Sequence, residues 1–183
     1  MLAFDGDILL FIQEYLRCPA LSSLLVPLTK LGNGGILWIA IVILLLFYPK
    51  TRKSGLITLL AMSICWIFND LVLKNLIERP RPFTQIEELK ILVSAPRTHS
   101  FPSGHSCVAV AVARAVWLTC NIRWIRIVVA ILAGLMAFSR MYVGVHYPTD
   151  VLAGCFVGFL GSTLVWKLFY KPFDQLGQEK AEE

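Results

Sequence analysis

Lys74, Arg81, Ser103, Gly104, His105, Ser139, Arg140, His146 and Asp150 are the residues of this chain whose types can do chemistry together. Three are cations, two are imidazoles and one is a carboxylate, yet they never cluster in sequence. Such a set suits a group with negative charge and several acceptor oxygens, and a phosphate is such a group. Lys offers a point charge and Arg a planar fork. Pro102-Ser103-Gly104 reads as a helix start, whose free N–H groups and dipole favour an anion. Gly lets the backbone come close. One histidine can then attack phosphorus, with a carboxylate fixing its tautomer. The other can protonate the leaving oxygen.

These residues can meet only if the chain brings helix ends together, and the composition says how. The 183 residues are 57% hydrophobic and 16% charged, with mean hydropathy +0.69. Soluble domains carry about a quarter charged residues. The sequence therefore reads as one all-α domain over 1–183, a polytopic helical bundle in a membrane. Five spans are expected, at about 32–48, 55–73, 105–120, 124–141 and 149–169, each near the ~20 residues a bilayer requires. The third is short and can run past Cys120.

Residues 1–31 differ. FDGDILLFIQEYLRC mixes charge into an apolar pattern, with Leu9, Leu10, Ile12, Tyr15 and Leu16 able to share a helical face. This predicts an amphipathic helix at the interface, then a second short helix over 20–30. The alternative is that 20–48 forms one broken, tilted span. The start has no basic n-region and does not read as a cleaved signal peptide. The core then runs over 32–171, and 172–183 is a polar tail.

The loop 49–54 carries Lys50, Arg52 and Lys53, the turn 121–126 carries Arg123 and Arg126, and Lys167 and Lys171 close the last span. Five spans in series put all of these on one side, which the positive-inside rule makes cytoplasmic. Segments 74–104 and 142–148 then face outward. The first holds five Lys/Arg, an excess that an anion site would explain. The formal charge is +5, but no basic stripe with interleaved aromatics is present, so no nucleic-acid partner is expected. Cys18, Cys65, Cys107, Cys120 and Cys155 are scattered and read as small buried hydrophobes.

With the chain reversing at each span, Lys74, Arg81, His105, Arg140, His146 and Asp150 all fall in one outer layer. Lys74-x6-Arg81-Pro82, Pro102-Ser103-Gly104-His105 and Ser139-Arg140-x5-His146-x3-Asp150 resemble the three signature motifs of the type 2 phosphatidic acid phosphatase family. Its superfamily also holds vanadium haloperoxidases and bacterial acid phosphatases. The motifs are complete, in order and at family spacing. The resemblance implies that His146 is the nucleophile forming a phosphohistidine, that Asp150 orients and charges it, and that His105 is the acid and later the base. It implies that Lys74, Arg81, Arg140, Ser103 and the Gly104 N–H hold phosphoryl oxygens, with no metal or other cofactor. No His/Asp/Glu spacing here suggests a metal site.

Taken singly, each residue has a plainer reading. Lys74 can snorkel at a span end, Ser103 can be only an N-cap and Asp150 only an acid in a first helical turn. Three spaced motifs at one face argue for the joint reading. Asp70, one turn before Lys74, is expected to orient it. Arg79 is expected at the rim or on lipid, since motif spacing selects Arg81. Arg114 reads as snorkelling or interhelical, and His99 as a loop histidine. Trp66, Trp117, Trp124, Trp166 and Tyr170 read as interface anchors and packing, not as a substrate cage.

The expected protein is thus a compact bacterial lipid phosphatase of the inner membrane, its site facing the periplasm or exterior. Undecaprenyl diphosphate is the favoured substrate; phosphatidylglycerophosphate, phosphatidic acid and lipid A phosphates compete. Residues 4–31 and 83–99 are the expected specificity elements. Transfer of the phosphoryl group to another lipid is an alternative, as is a transporter or scaffold with a relic site. The sequence is silent on oligomeric state.

Overall fold

The computed structural model describes residues 3–171, and the polar tail at 172–183 lies outside the described residues. Among these residues, eight α-helices follow one another: α1 (Ala3–Phe11), α2 (Pro19–Leu31), α3 (Ile36–Phe47), α4 (Arg52–Trp66), α5 (Lys74–Ile77), α6 (Gly104–Thr119), α7 (Arg123–Tyr142) and α8 (Pro148–Val165). No strand occurs among the described residues. A π-helical stretch, Ile67–Leu73, joins α4 to α5, so the chain stays helical from Arg52 to Ile77.

The centre of the bundle is α6, packed by α4, α7 and α8. Its sequence explains the position. Ala109, Ala111, Val112, Ala115 and Val116 are fully buried, and small side chains let three neighbours approach at once. The approach is closest to α8. A Cβ on Gly158 would lie against the Cys107 carbonyl and 3.0 Å from the Ala111 nitrogen, and one on Gly154 against the Ser103 carbonyl. This is small-residue packing of the kind that holds helices together in a bilayer. It also sets the start of α6 beside the start of α8, where the Ser103 N–H donates to the Asp150 carbonyl at 3.0 Å.

The N-terminal segment docks on the protein. Leu9 and Ile12 are buried, Leu9 packing with Leu89 and Tyr147. Phe4, Ile8, Phe11, Tyr15 and Leu16 stay exposed. The expected apolar face therefore splits: one stripe meets the protein and another faces outward. Polar ties hold the docking. Arg17 donates to the Tyr142 carbonyl at 2.9 Å and the Lys90 carbonyl at 2.6 Å, and Gln13 donates to the Glu88 carbonyl at 2.9 Å.

Among the described residues, three helical stretches, Pro49–Thr84, Arg123–Tyr142 and Pro148–Tyr170, are long and apolar enough to cross a membrane. The pair Pro19–Leu31 and Asn33–Phe47, bent by 68°, makes a fourth if taken as one broken span. The first expected span does not stand alone, because α3 has only 12 residues, about 18 Å of helix. Gly34 and Gly35, at φ of 60° and 72°, break the chain between α2 and α3 in a conformation open to glycine. The expected third span is the 16-residue α6. It ends at Cys120, where the backbone turns extended.

Candidate active site

The ends of α5, α6, α7 and α8 meet at one end of the bundle. A cavity of about 460 Å³ lies there, and its wall includes Asp70, Lys74, Arg81, Gly104, His105, Arg140 and His146. Residues 72 positions apart in sequence, Lys74 and His146, thus face one space. The chain's reversal from helix to helix brings these ends together, and α6–α8 packing holds them there.

His146 sits in the turn between α7 and α8, 2% exposed. Arg81 Nη1 is 3.3 Å from its Nε2. Arginine has no lone pair to offer, so in this contact the guanidinium donates and Nε2 accepts. The proton then belongs on Nδ1, which faces Asp150 Oδ2 at 3.5 Å. Nε2 is then the nitrogen that carries the lone pair, held by Arg81 until an anion takes up the guanidinium. Arg81 is itself held by carbonyls: it donates to Thr98 O at 2.7 Å, Val145 O at 2.9 Å and His99 O at 3.3 Å.

Burial pushes the His146 imidazole down to about 3, Arg81 and Arg140 push the same way, and Asp150 opposes them. The ring is therefore neutral at neutral pH. The folded value lies below the ordinary 6.5, so on acidification the unfolded chain takes up the proton first. This group's contribution to stability is complete above about pH 6.5 and is lost as pH falls toward 3. In melting series in detergent, His146→Asn is expected to flatten the loss of thermal stability between about pH 6.5 and 4. An unchanged slope would mean that the buried ring titrates normally.

Lys74 is buried and paired with Asp70, one turn earlier. Asp70 also approaches Gly104, where a Cβ would lie 2.5 Å from Asp70 Oδ2. Arg140 donates from Nη1 to Thr29 Oγ1 of α2, while its buried Nε has no partner among the described residues. His105 Nε2 is 3.1 Å from Asn33 Oδ1. Ser103, Ser139 and Asp150 are fully buried and outside the cavity wall. Ser103 caps α6, its Oγ accepting from the Ser106 N–H. Ser139 Oγ donates to the Met136 carbonyl at 2.7 Å.

Several residues stand where sequence reasoning did not put them. Arg79 is no rim contact: Nη1 donates to Asp150 Oδ1 at 2.6 Å, Nη2 to Asp5 Oδ2 at 2.8 Å, and the guanidinium lies 4.0 Å from the Tyr147 ring centre. Ser100 donates to Asp150 Oδ2 at 2.5 Å. Asn33 and Trp66 line the cavity; Trp66, expected to stand apart from the substrate space, borders it while remaining half-exposed. A signal existed for Asn33, a polar residue inside a glycine run at a helix break. Arg79 and Ser100 gave only adjacency to the motifs. Arg114, by contrast, does make an interhelical contact, with Thr163 at 3.2 Å. Among the described residues no group of three His, Cys, Asp or Glu side chains gathers as a metal site.

The fold and the cavity define a class, that of polytopic helical membrane proteins with a cation-lined site at one end of the bundle. The family model described as the PAP2 superfamily matches residues 52–174. The chain belongs to that superfamily, as its curated relatives bear out. It is 35% identical over 145 residues to an undecaprenyl-diphosphatase of Sulfolobus acidocaldarius, covering 79% of this chain and 69% of that one. It is 35% identical over 176 residues to phosphatidylglycerophosphatase B of Bacillus subtilis, covering 87% and 78%. A crystal structure of a transmembrane PAP2-type phosphatidylglycerolphosphate phosphatase from Bacillus subtilis matches with a TM-score of 0.73 at 31% identity, over 94% of this chain and 85% of that chain.

Proposed function

We propose that this chain is a membrane lipid phosphatase that works through a phosphohistidine on His146, without a metal ion. One observation carries the reading: Lys74, Arg81, Arg140, His105 and His146 share one cavity, with the buried Asp150 3.5 Å behind His146. The three cations take the phosphoryl oxygens and meet the charge that a divalent ion would otherwise meet. His146 Nε2 forms a bond to phosphorus as the bond to the leaving oxygen breaks. His105, entering the step as the imidazolium that an arriving phosphate dianion favours, gives that oxygen its proton and becomes neutral. Asp150 stabilises the ring, which now carries positive charge with Nδ1 protonated. Water then attacks phosphorus, His105 takes its proton, and inorganic phosphate leaves with the His146 lone pair restored. Ser103 shapes the helix start that offers the Gly104 N–H, Asp70 aims Lys74, and Ser139 supports the turn before Arg140.

We favour undecaprenyl diphosphate as substrate, because a relative of that name is 35% identical. Phosphatidylglycerophosphate is the second reading, on a relative of equal identity. We assign residues 4–31 and 83–99 to substrate selection. In support, Thr29 touches Arg140, and Pro96 and Thr98 line the cavity. The whole chain, 1–183, is taken as one domain, in the inner membrane of a bacterium with the cavity on the outer side. The cations at 50–53 and 123–126, at the far ends of their helices, support that orientation.

The test is phosphate release by the purified protein from undecaprenyl diphosphate, phosphatidylglycerophosphate, phosphatidic acid and lipid A, with chelator present. The polyprenyl diphosphate should give the highest kcat/KM, unchanged by chelation. No turnover, or loss on chelation, would refute the metal-free reading; a phosphorylated lipid acceptor in place of free phosphate would make it a transferase. A cysteine placed near residue 90 should react with an impermeant reagent in whole cells, and protection there would invert the orientation.

A further inference from the structure

We infer that Asp5 and Arg79 are a positioning pair for Asp150, so that the N-terminal helix α1 is a working part of the active site. The inference rests on the reading of Asp150 as the partner of the nucleophile. It starts from an oddity of burial. Asp5 lies in an apolar helix, AFDGDILLF, yet is fully buried. A carboxylate is not taken from water without partners. Asp5 has them: Oδ2 accepts from Arg79 Nη2 at 2.8 Å and from Thr149 Oγ1 at 2.6 Å, and Oδ1 accepts from the Thr149 N–H at 3.2 Å.

The same guanidinium reaches the site. Arg79 Nη1 donates to Asp150 Oδ1 at 2.6 Å and to Thr149 Oγ1 at 2.7 Å. One arginine therefore spans two buried carboxylates, 74 and 71 residues away in sequence. The ring of Tyr147 lies 4.0 Å from it and fixes its plane by cation–π contact. With Oδ1 of Asp150 held by Arg79, Oδ2 is held by Ser100 Oγ at 2.5 Å and the Tyr147 N–H at 2.9 Å. These donors leave the carboxylate one orientation, with Oδ2 toward His146 Nδ1.

The chemistry needs such a clamp. A free carboxylate beside cations would swing toward Arg81 or toward solvent. Arg79 answers the charge of Asp150 on the side away from the nucleophile, and Asp5 stops Arg79 from following any other anion. A phosphate arriving at Lys74, Arg81 and Arg140 then finds Arg79 already committed. Neither Asp5 nor Arg79 lines the cavity, so both act through Asp150 and not on substrate.

Asp5→Asn keeps size and shape and removes one charge. It is expected to lower kcat by about tenfold, and Arg79→Gln by about a hundredfold, as misplacement of a catalytic group does. Binding of inorganic phosphate, measured by calorimetry, should keep the wild-type stoichiometry and an affinity within about twofold. Asp5→Glu should recover most of the rate. A role in folding alone would instead lower phosphate stoichiometry in step with kcat, and that result would overturn the inference. So would wild-type kcat in Asp5→Asn. Asp150→Asn is run beside them: if it turns over normally, the role of Asp150 itself fails; if it is inactive while Asp5→Asn is normal, the pair alone fails.

Discussion

His146→Ala is expected to lower phosphate release by about 10⁴-fold or more, the scale on which enzymes lose rate when a nucleophile is removed. The loss falls on kcat, because Lys74, Arg81 and Arg140, the proposed phosphoryl-binding cations, stay in place around the cavity. Phosphate affinity should hold or rise, since a buried ring that cannot be readily charged gives way to space beside Arg81 and Arg140. The fold should survive. His146 lies in a turn whose backbone is held by other bonds, with Val145 N–H donating to the Arg140 carbonyl and Val151 N–H to the Tyr147 carbonyl. Assay of purified protein against undecaprenyl diphosphate and phosphatidylglycerophosphate checks this. Retained activity would remove His146 from the chemistry.

Arg140→Leu comes second. It is expected to lower kcat/KM by about 10²–10³, the cost of removing one preorganised donor of transition-state charge. Its effect on stability should have the opposite sign. Arg140 is buried and spends one bond on Thr29, while its Nε has no partner among the described residues. A buried donor left unpaired costs about 1–3 kcal/mol, and Arg140 also shares its cavity with Lys74 and Arg81. Leu relieves both penalties. The variant should therefore melt no lower than the wild type, yet lose the stabilisation that added phosphate gives the wild type. A variant that melts lower and keeps its rate would mean that Arg140 serves the fold and not the substrate.

How much of this was legible in the sequence differs residue by residue. His105 and Arg140 sit at helix ends, and a helix end in a serially reversing bundle can be placed from apolar run lengths alone. Lys74 and Asp70 meet because four residues is one helical turn. The choice of Arg81 over Arg79 for the cavity followed motif spacing. What Arg79 does could not follow from it, because its partner Asp5 is distant in sequence. An acid in an amphipathic pattern reads as water-facing until something is known to dock on it. The break at Gly34 and Gly35 shows the same limit. The glycines announce a break, but a hydropathy window over 32–48 cannot see that the chain bends by 68° and shortens the helix beyond. Asn33 sits at that bend, 3.1 Å from His105 Nε2.

Trapping the phosphorylated protein decides between a covalent route and direct attack by water. Purified enzyme is mixed with lipid substrate labelled in the phosphate that leaves as inorganic phosphate, quenched in alkali within one turnover, and digested. A phosphohistidine route predicts label that is stable to alkali, labile to acid and carried on the peptide containing His146, and absent from His146→Ala. No protein-bound label during rapid turnover, or acid-stable label on another residue, would contradict it.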